Sequence, residues 1–286
     1  MTKINNYANP EVLVTTDWVE EHKDDENVRI LEVDVDTSAY DQGHIEGAIG
    51  LNWETELSNQ VRRDILTREE FQQLARESGI TKDTTVVFYG DNNNWFAAYA
   101  LWEFRYYQHP EEQLKLMNGG RKKWIAEGRD LVTEVPSYPE SDYVAGFPDD
   151  NVRADKDLIL ENLDDNRFNL VDVRSPEEFS GEVIAPTGMN ETAQRGGHIP
   201  GAVDIPWASA VDEDGTFKSY DELKSIYQGA GVDDDKETIA YCRIGERSSH
   251  SWFVLKYLLG YDKVRNYDGS WTEWGNLIGA PIEKGK

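Results

Sequence analysis

Short apolar runs alternate along the chain with longer stretches in which apolar residues recur every three or four positions. Leu31-Glu32-Val33-Asp34-Val35, Val86-Val87-Phe88-Tyr89, Asn169-Leu170-Val171-Asp172-Val173 and Thr238-Ile239-Ala240-Tyr241 have the length and β-branched or aromatic content of strands. The stretches between them read as helices of about 10–14 residues. Two of these helices carry a start signal, Thr67-x-x-Glu70 and Ser219-x-x-Glu222, in which a hydroxyl caps the first turn and a carboxylate returns the bond. Asp17 and Asp155 are further N-cap candidates. Alternating strands and helices predict βαβ units, hence an α/β fold of parallel sheets flanked by helices.

The pattern occurs twice. The strand at Leu31 is answered at Asn169, an offset of 138, and His44-Ile45-Glu46-Gly47-Ala48 by His198-Ile199-Pro200-Gly201-Ala202, an offset of 154 that leaves an insertion, Ser180 to Gly197, in the second copy. The capping boxes and the following strands match at 152, and Asn118-Gly119-Gly120 matches Asp268-Gly269-Ser270 at 150. Between the copies, Pro136 to Pro148 holds three prolines and two serines and has no helical period. The chain therefore divides into a domain over 1–135, a linker over 136–150 and a domain over 151–286.

Length agrees, since 286 residues make two domains at roughly 100–200 residues each. Charge narrows the partners: 55 acidic against 29 basic residues give −26, which disfavours nucleic acid and anionic membrane surfaces. Two readings of this acidity stand. One is a halophilic cytoplasm, where the Debye length falls to about 3 Å near 1 M salt; the other is an acidic protein of ordinary surroundings. The start, MTKINNYANP, has no apolar h-region, and no apolar run approaches the roughly 18 residues of a spanning helix, so a soluble cytoplasmic protein is expected. A single cysteine, Cys242, excludes an intrachain disulfide and a Cys-rich metal site, and neither metal nor cofactor is expected.

The copies diverge after Tyr89 and Tyr241. Five residues, Gly90 to Asn94, lead to Trp95-Phe96, whereas ten, Cys242 to Ser251, lead to Trp252-Phe253, so the second copy is expected to keep a long loop with a thiol that the first has lost. That loop, Cys242-Arg243-Ile244-Gly245-Glu246-Arg247-Ser248-Ser249, starts at a strand end and stops where Ser248 or Ser249 caps a helix. Ligands of open parallel sheets bind outside the carboxyl ends of strands, and amides over a helix N-terminus favour an anion. With Arg243 and Arg247 beside it, a thiol that starts near pKa 8.5 falls to about 7 or below, which makes Cys242 a thiolate nucleophile. The alternative is a buried structural cysteine; the surrounding charges and serines argue against it. Phosphatases and arsenate reductases use C-x5-R. Here Cys242 and Arg247 form C-x4-R, a tighter ring that suits one terminal sulfur better than a tetrahedral phosphate. His44 and His198 occur at matching positions in both copies and read as turn or packing residues, Asp172 with its partner Asp34 as a loop-ordering group, His250 as a surface residue, and Trp271 with Trp274 as core.

The motifs LVDVRSPEEF (170–179), GGHIPGA (196–202), AYCRIGERSS (240–249) and NYDGSWTEWG (266–275) resemble those of the tandem rhodanese family, the thiosulfate sulfurtransferases, over nearly the whole chain. The resemblance implies two rhodanese-like domains, the second catalytic. It also implies a ping-pong reaction in which Cys242 takes the outer sulfur of thiosulfate, releases sulfite, and holds a persulfide until cyanide, a small thiol or a protein thiol removes it. The C-R-x-G form of the loop is typical of the thiosulfate branch, the C-G-S/T-G form of mercaptopyruvate enzymes; 3-mercaptopyruvate sulfurtransferase and a persulfide carrier with a protein partner are the alternatives. Arg174 matches the family's substrate-binding arginine. Where some thiosulfate enzymes carry lysine this chain has Ile244, and Arg247 supplies the charge. Arg195 and Arg243 each divide between substrate contact and structural pairing, and the backbone amides of Ile244, Gly245, Glu246, Arg247 and Ser248 are expected to hold the terminal sulfur.

Overall fold

The computed structural model describes residues 6–163, 167–187 and 192–285; residues 188–191 of the Ser180–Gly197 insertion lie outside these. Two compact units appear, one of 10–149 with 211–217, the other of 6–9, 150–210 and 218–285. The short segments 6–9 and 211–217 thus fall with the opposite copy, which the repeat pattern does not reveal. The segment Pro136–Pro148 is bound into the first unit, with Tyr143 and Ala145 each 1% exposed and their carbonyls accepting from Arg76 Nε at 2.8 Å and Arg68 Nη2 at 2.6 Å.

The first unit contains β1 (Leu13–Val14), β2 (Val28–Asp34), β3 (Ala48–Asn52), the hairpin strands β4 (Ser58–Asn59) and β5 (Asp64–Ile65), β6 (Thr85–Tyr89) and β7 (Leu114–Met117). Its main sheet is parallel in the order β1-β7-β6-β2-β3. The second contains β8 (Phe168–Asp172), β9 (Val203–Asp204), β10 (Glu237–Tyr241) and β11 (Val264–Tyr267), parallel in the order β11-β10-β8-β9. This is the α/β architecture the alternation predicts. The central strands read as apolar runs because burial is continuous along them. One core gathers Ile30, Val87, Met117 and Trp124, the other Ile199, Ile239, Trp271 and Trp274.

Local signals act mostly as read. Both capping boxes form, at Thr67 with Glu70 and at Ser219 with Glu222, and Asp155 Oδ1 accepts from Leu158 N at 2.8 Å. At the first helix Thr15, not Asp17, is the N-cap, its Oγ1 accepting from Trp18 N at 3.1 Å. Asp17 sits in the first turn, where its charge favours the positive end of the helix dipole.

Strand register corrects the alignment of the copies. Tyr89 lies opposite Glu32 and Tyr241 opposite Asp172, so Asp172 answers Glu32 and Arg174 answers Asp34, an offset of 140. The expected difference in loop length also disappears. The helix Trp95–Tyr106 and the helical run Glu246–Leu258, whose last five residues are a π-turn, both end 17 residues beyond the tyrosine of the preceding strand. Trp95 and Trp252 are not counterparts, because the first opens its helix and the second lies inside its own.

Candidate active site

Cys242 follows the last residue of β10, at the carboxyl end of a central parallel strand. The turn is short: the helix Glu246–Phe253 begins at once, with Gly245 as its N-cap at φ +95°. A Cβ at Gly245 would lie 2.7 Å from Asp268 Cα, so the left-handed φ and the close backbone both require glycine. Ser248 and Ser249, expected to cap this helix, lie in its first turn instead.

The thiol is 0% exposed. Its Sγ accepts from Gly245 N at 3.2 Å, lies 3.6 Å from Ser248 Oγ, and donates to Glu246 Oε2 at 3.2 Å. Ser248 Oγ is closer to Asn266 Oδ1, at 2.6 Å. Burial, and after it the Glu246 carboxylate, push the Cys242 thiol up from its ordinary value, while Arg247 and the hydroxyl and amide of Ser248 pull the other way. Both upward influences oppose the expected resting thiolate: removal from water and one adjacent carboxylate outweigh one arginine and two N–H or O–H donors.

The loop is fixed from below. Cys242 N donates to Ser270 Oγ at 3.0 Å, and Cys242 O accepts from Trp271 N at 3.1 Å. Arg243 O accepts from Thr272 N at 3.0 Å and Thr272 Oγ1 at 2.7 Å. Ser270 holds φ +50°, an uncommon value for a residue with a Cβ; its Oγ also donates to Tyr267 O at 2.5 Å. Arg243 and Ile244 are buried, at 7% and 5% exposure.

The arginines are more committed than the sequence suggests. Arg247 makes two bonds to Glu178, at 2.8 and 3.1 Å, and its Nε is 3.7 Å from Glu246 Oε1. Arg174 is buried against Asp172, its Nη2 2.6 Å from Oδ2 and 2.7 Å from Gly197 O, with its guanidinium 4.4 Å from the Trp271 ring centroid. As placed it braces the framework through Nε and Nη2, while its buried Nη1 has no hydrogen-bond partner among the described residues. Arg195 donates to four carbonyls, of Gly275, Ala280, Trp274 and Leu277, at 2.7–3.0 Å, the geometry of structural pairing. Cys242, Gly245, Glu246, Arg247 and Ser248 thus meet at one point, whereas Arg174 and Arg195 bind groups of other elements.

His250 is 0% exposed, with its ring against Trp207 at 5.3 Å between centroids, and burial drives it down to about 3; it is no surface residue. Asp172, read as a loop-ordering group, is the buried counterion of Arg174. His44 and His198 are packing residues as expected, stacked on Tyr40 and Phe179 at 3.8 and 3.7 Å. Sequence reasoning missed Ser270, Asn266 and Glu178, which lie 69 or fewer residues from their partners in the chain but in other elements. The only sequence signal for Ser270 is its place opposite Gly120 in the repeat. Among the described residues no cluster of His, Cys, Asp or Glu could hold a metal ion, and no helix is long and apolar enough to cross a membrane.

A parallel sheet carrying a cysteine on a tight strand-to-helix turn, repeated once without the cysteine, defines the class. The chain belongs to the rhodanese family: the Rhodanese-like domain matches residues 15–127 and again 155–277. It is 57% identical over 286 residues to a Haloferax volcanii protein named "Putative thiosulfate sulfurtransferase", covering 98% of this chain and 99% of that one. It is also 56% identical over 284 residues to the "Sulfur carrier protein TtuD" of Thermus thermophilus, covering 98% and 99%. Among solved structures it resembles the anaerobic ergothioneine biosynthesis enzyme of Chlorobium limicola bound to trimethyl histidine, with a TM-score of 0.84 and 29% identity over 98% of this chain and 72% of that one. EanB holding a cysteine persulfide with ergothioneine gives a TM-score of 0.83 and 27% identity over 98% and 72%. The names of these relatives point to sulfur transfer.

Proposed function

We propose that the chain is a sulfurtransferase working through a persulfide on Cys242, with thiosulfate as donor and cyanide or a thiol as acceptor. In the first half-reaction Sγ attacks the outer sulfur, and the bond to the sulfonate sulfur breaks with its electron pair on departing sulfite. In the second, the acceptor attacks the terminal sulfur and the pair returns to Sγ. The observation that carries this reading is the placement of the sole cysteine: Sγ sits at the mouth of a helix and accepts from Gly245 N at 3.2 Å, which is where a terminal sulfide anion gains most from fixed dipoles. Gly245 N and the N-terminus of the helix supply the positive side of the site, beside Arg247 in its pair with Glu178.

A second reading is favoured by a specific observation. The thiol is fully buried, burial and Glu246 push it up from its ordinary value, and Arg174, Arg195 and Arg247 are bound to internal partners, so little positive charge is left for a dianion. A carrier that takes its outer sulfur from a protein persulfide, which leaves as a thiolate, and passes it to a protein thiol needs less. Multiple turnovers with thiosulfate and cyanide support the enzyme. Single loading, followed by discharge only to a protein thiol, supports the carrier; higher kcat/KM with 3-mercaptopyruvate moves the chain to that branch.

The charge of −26 is consistent with a salty cytoplasm, as is the Haloferax volcanii relative. An unfolding midpoint that fails to rise between low and molar KCl removes that reading.

A further inference from the structure

We propose that Glu246 is the proton acceptor for Cys242: its carboxylate takes the thiol proton as Sγ bonds to the incoming sulfur and returns it when that sulfur leaves. The inference rests on the Cys242 reading above and adds a catalytic group to it. Glu246 Oε2 is 3.2 Å from Sγ with the thiol as donor, within the range for sulfur, and the Glu246 side chain is 3% exposed. The left-handed Gly245 brings the two together, since it starts the helix one residue before Glu246 and three after Cys242.

The other groups that face the pair are engaged. Arg247 on the same helix binds Glu178, Asp172 binds Arg174, and Asp268, against Gly245, binds Arg153 at 2.8 Å. Ser248 Oγ is 2.6 Å from Asn266 Oδ1, and His250, a turn further along, packs on Trp207; Arg243 offers no acceptor. The first unit supplies a control: at the position of Glu246 it has Asn94, whose Oδ1 accepts from Gly90 N at 3.0 Å. Thiol and carboxylate are absent there together.

With thiosulfate the step balances. The proton passes from Sγ to Oε2, the new S–S bond forms, and the old one breaks with its electron pair on sulfite. When a thiolate or cyanide then attacks the terminal sulfur, Sγ recovers the electron pair and, from Glu246, the proton.

A purely electrostatic role has the opposite sign. A carboxylate beside a thiol disfavours the thiolate, so removing it would speed attack by Sγ. The test is single-turnover reaction of the full chain with thiosulfate, and separately with a neutral aromatic disulfide, from about pH 6 to about pH 9, for the parent, Glu246→Gln and Glu246→Asp. Proton acceptance predicts a nearly flat parent profile and a Gln variant slower by about 10²-fold at the acid end, rising tenfold per pH unit. The Asp variant keeps the flat profile at a lower rate, and it carries the test if the Gln variant does not fold. A parent rate that itself climbs tenfold per pH unit, or a Gln variant faster than the parent throughout, overturns the proposal. If the aromatic disulfide gives the expected pattern while thiosulfate loads nothing, Glu246 stands and the thiosulfate reading falls.

Discussion

The same turn, built twice, does two different jobs. After β6 the chain passes Gly90, and a Cβ there would lie 2.4 Å from Val33 O and 3.1 Å from Asp34 Oδ1. Three successive asparagines, Asn92, Asn93 and Asn94, take left-handed φ of 50°, 54° and 69°, and Asn94 plugs the turn by accepting from Gly90 N at 3.0 Å and donating to Met117 O at 2.7 Å. After β10 the equivalent backbone N–H belongs to Cys242 and is met by Ser270 Oγ instead. Moving that acceptor to the next turn leaves room for a thiol and for the Glu246 carboxylate. The site differs between the units by how one turn is filled, on sheets whose shared part runs β7-β6-β2-β3 in one and β11-β10-β8-β9 in the other.

The buried charges under each turn show the same exchange. In the first unit the guanidinium comes from Arg121, whose Nη1 is 2.6 Å from Glu32 Oε1 and whose Nη2 also binds Gly43 O. In the second it comes from Arg174, which binds Asp172 and Gly197 O, while Trp271 takes the place of Arg121 and lies under the guanidinium. Framework and catalysis separate cleanly if Arg174→Ala destabilises the chain by about 3–5 kcal/mol in urea, the cost of leaving a buried carboxylate without its partner. Arg121→Ala should cost a similar amount and leave sulfur loading intact. Unchanged stability with a raised KM for thiosulfate in Arg174→Ala would make it a substrate cation after all.

Smaller changes probe the turns themselves. Gly90→Cys, in a chain whose Cys242 is replaced by serine, should lose about 1–3 kcal/mol by overpacking and take up no sulfur; uptake there would refute the idea that room, not just a thiol, is missing. Ser270→Ala keeps the positive φ and removes the acceptor of Cys242 N, for an expected loss of about 1–3 kcal/mol. The comparison fails at that point if Ser270→Ala is neutral.

The two units should also differ in their pH response, with slopes no larger than about 1.4 kcal/mol per pH unit for each group. In the second unit burial lowers His250 to about 3, so its neutral form stabilises the fold above its unfolded value near 6.5, and that contribution is lost as pH falls toward 3. In the first unit burial raises Asp34 to about 8, so its contribution is complete below the unfolded carboxylate range and is lost as pH rises toward 8. His250→Gln should flatten the acid limb and Asp34→Asn the neutral one, in urea titrations across pH. Profiles identical to the parent would show that neither burial matters.

Much of this was legible in the sequence. Strand runs, both capping boxes, the duplication and the cysteine at a strand end follow from local pattern. What escaped depends on register and on side chains brought from elsewhere. A strand shifted by two residues keeps its alternation, so the offset of 138 looked as good as 140. The Trp-Phe dipeptides at 95 and 252 invited an alignment that the equal helix ends at Tyr106 and Leu258 exclude. The Cys242 loop reads as cationic in the sequence, yet Glu178 pairs with Arg247 from a helix 69 residues away, and burial with Glu246 pushes the thiol up where the sequence suggested a fall.

The central claim is that Cys242 carries the sulfur in transit. Intact-protein mass spectrometry after brief treatment with thiosulfate tests it directly. The account predicts a single added sulfur atom on the parent chain, removed by cyanide or a thiol, and no adduct on Cys242→Ser. A parent chain that gains no mass, or a serine variant that gains the same sulfur, would contradict it.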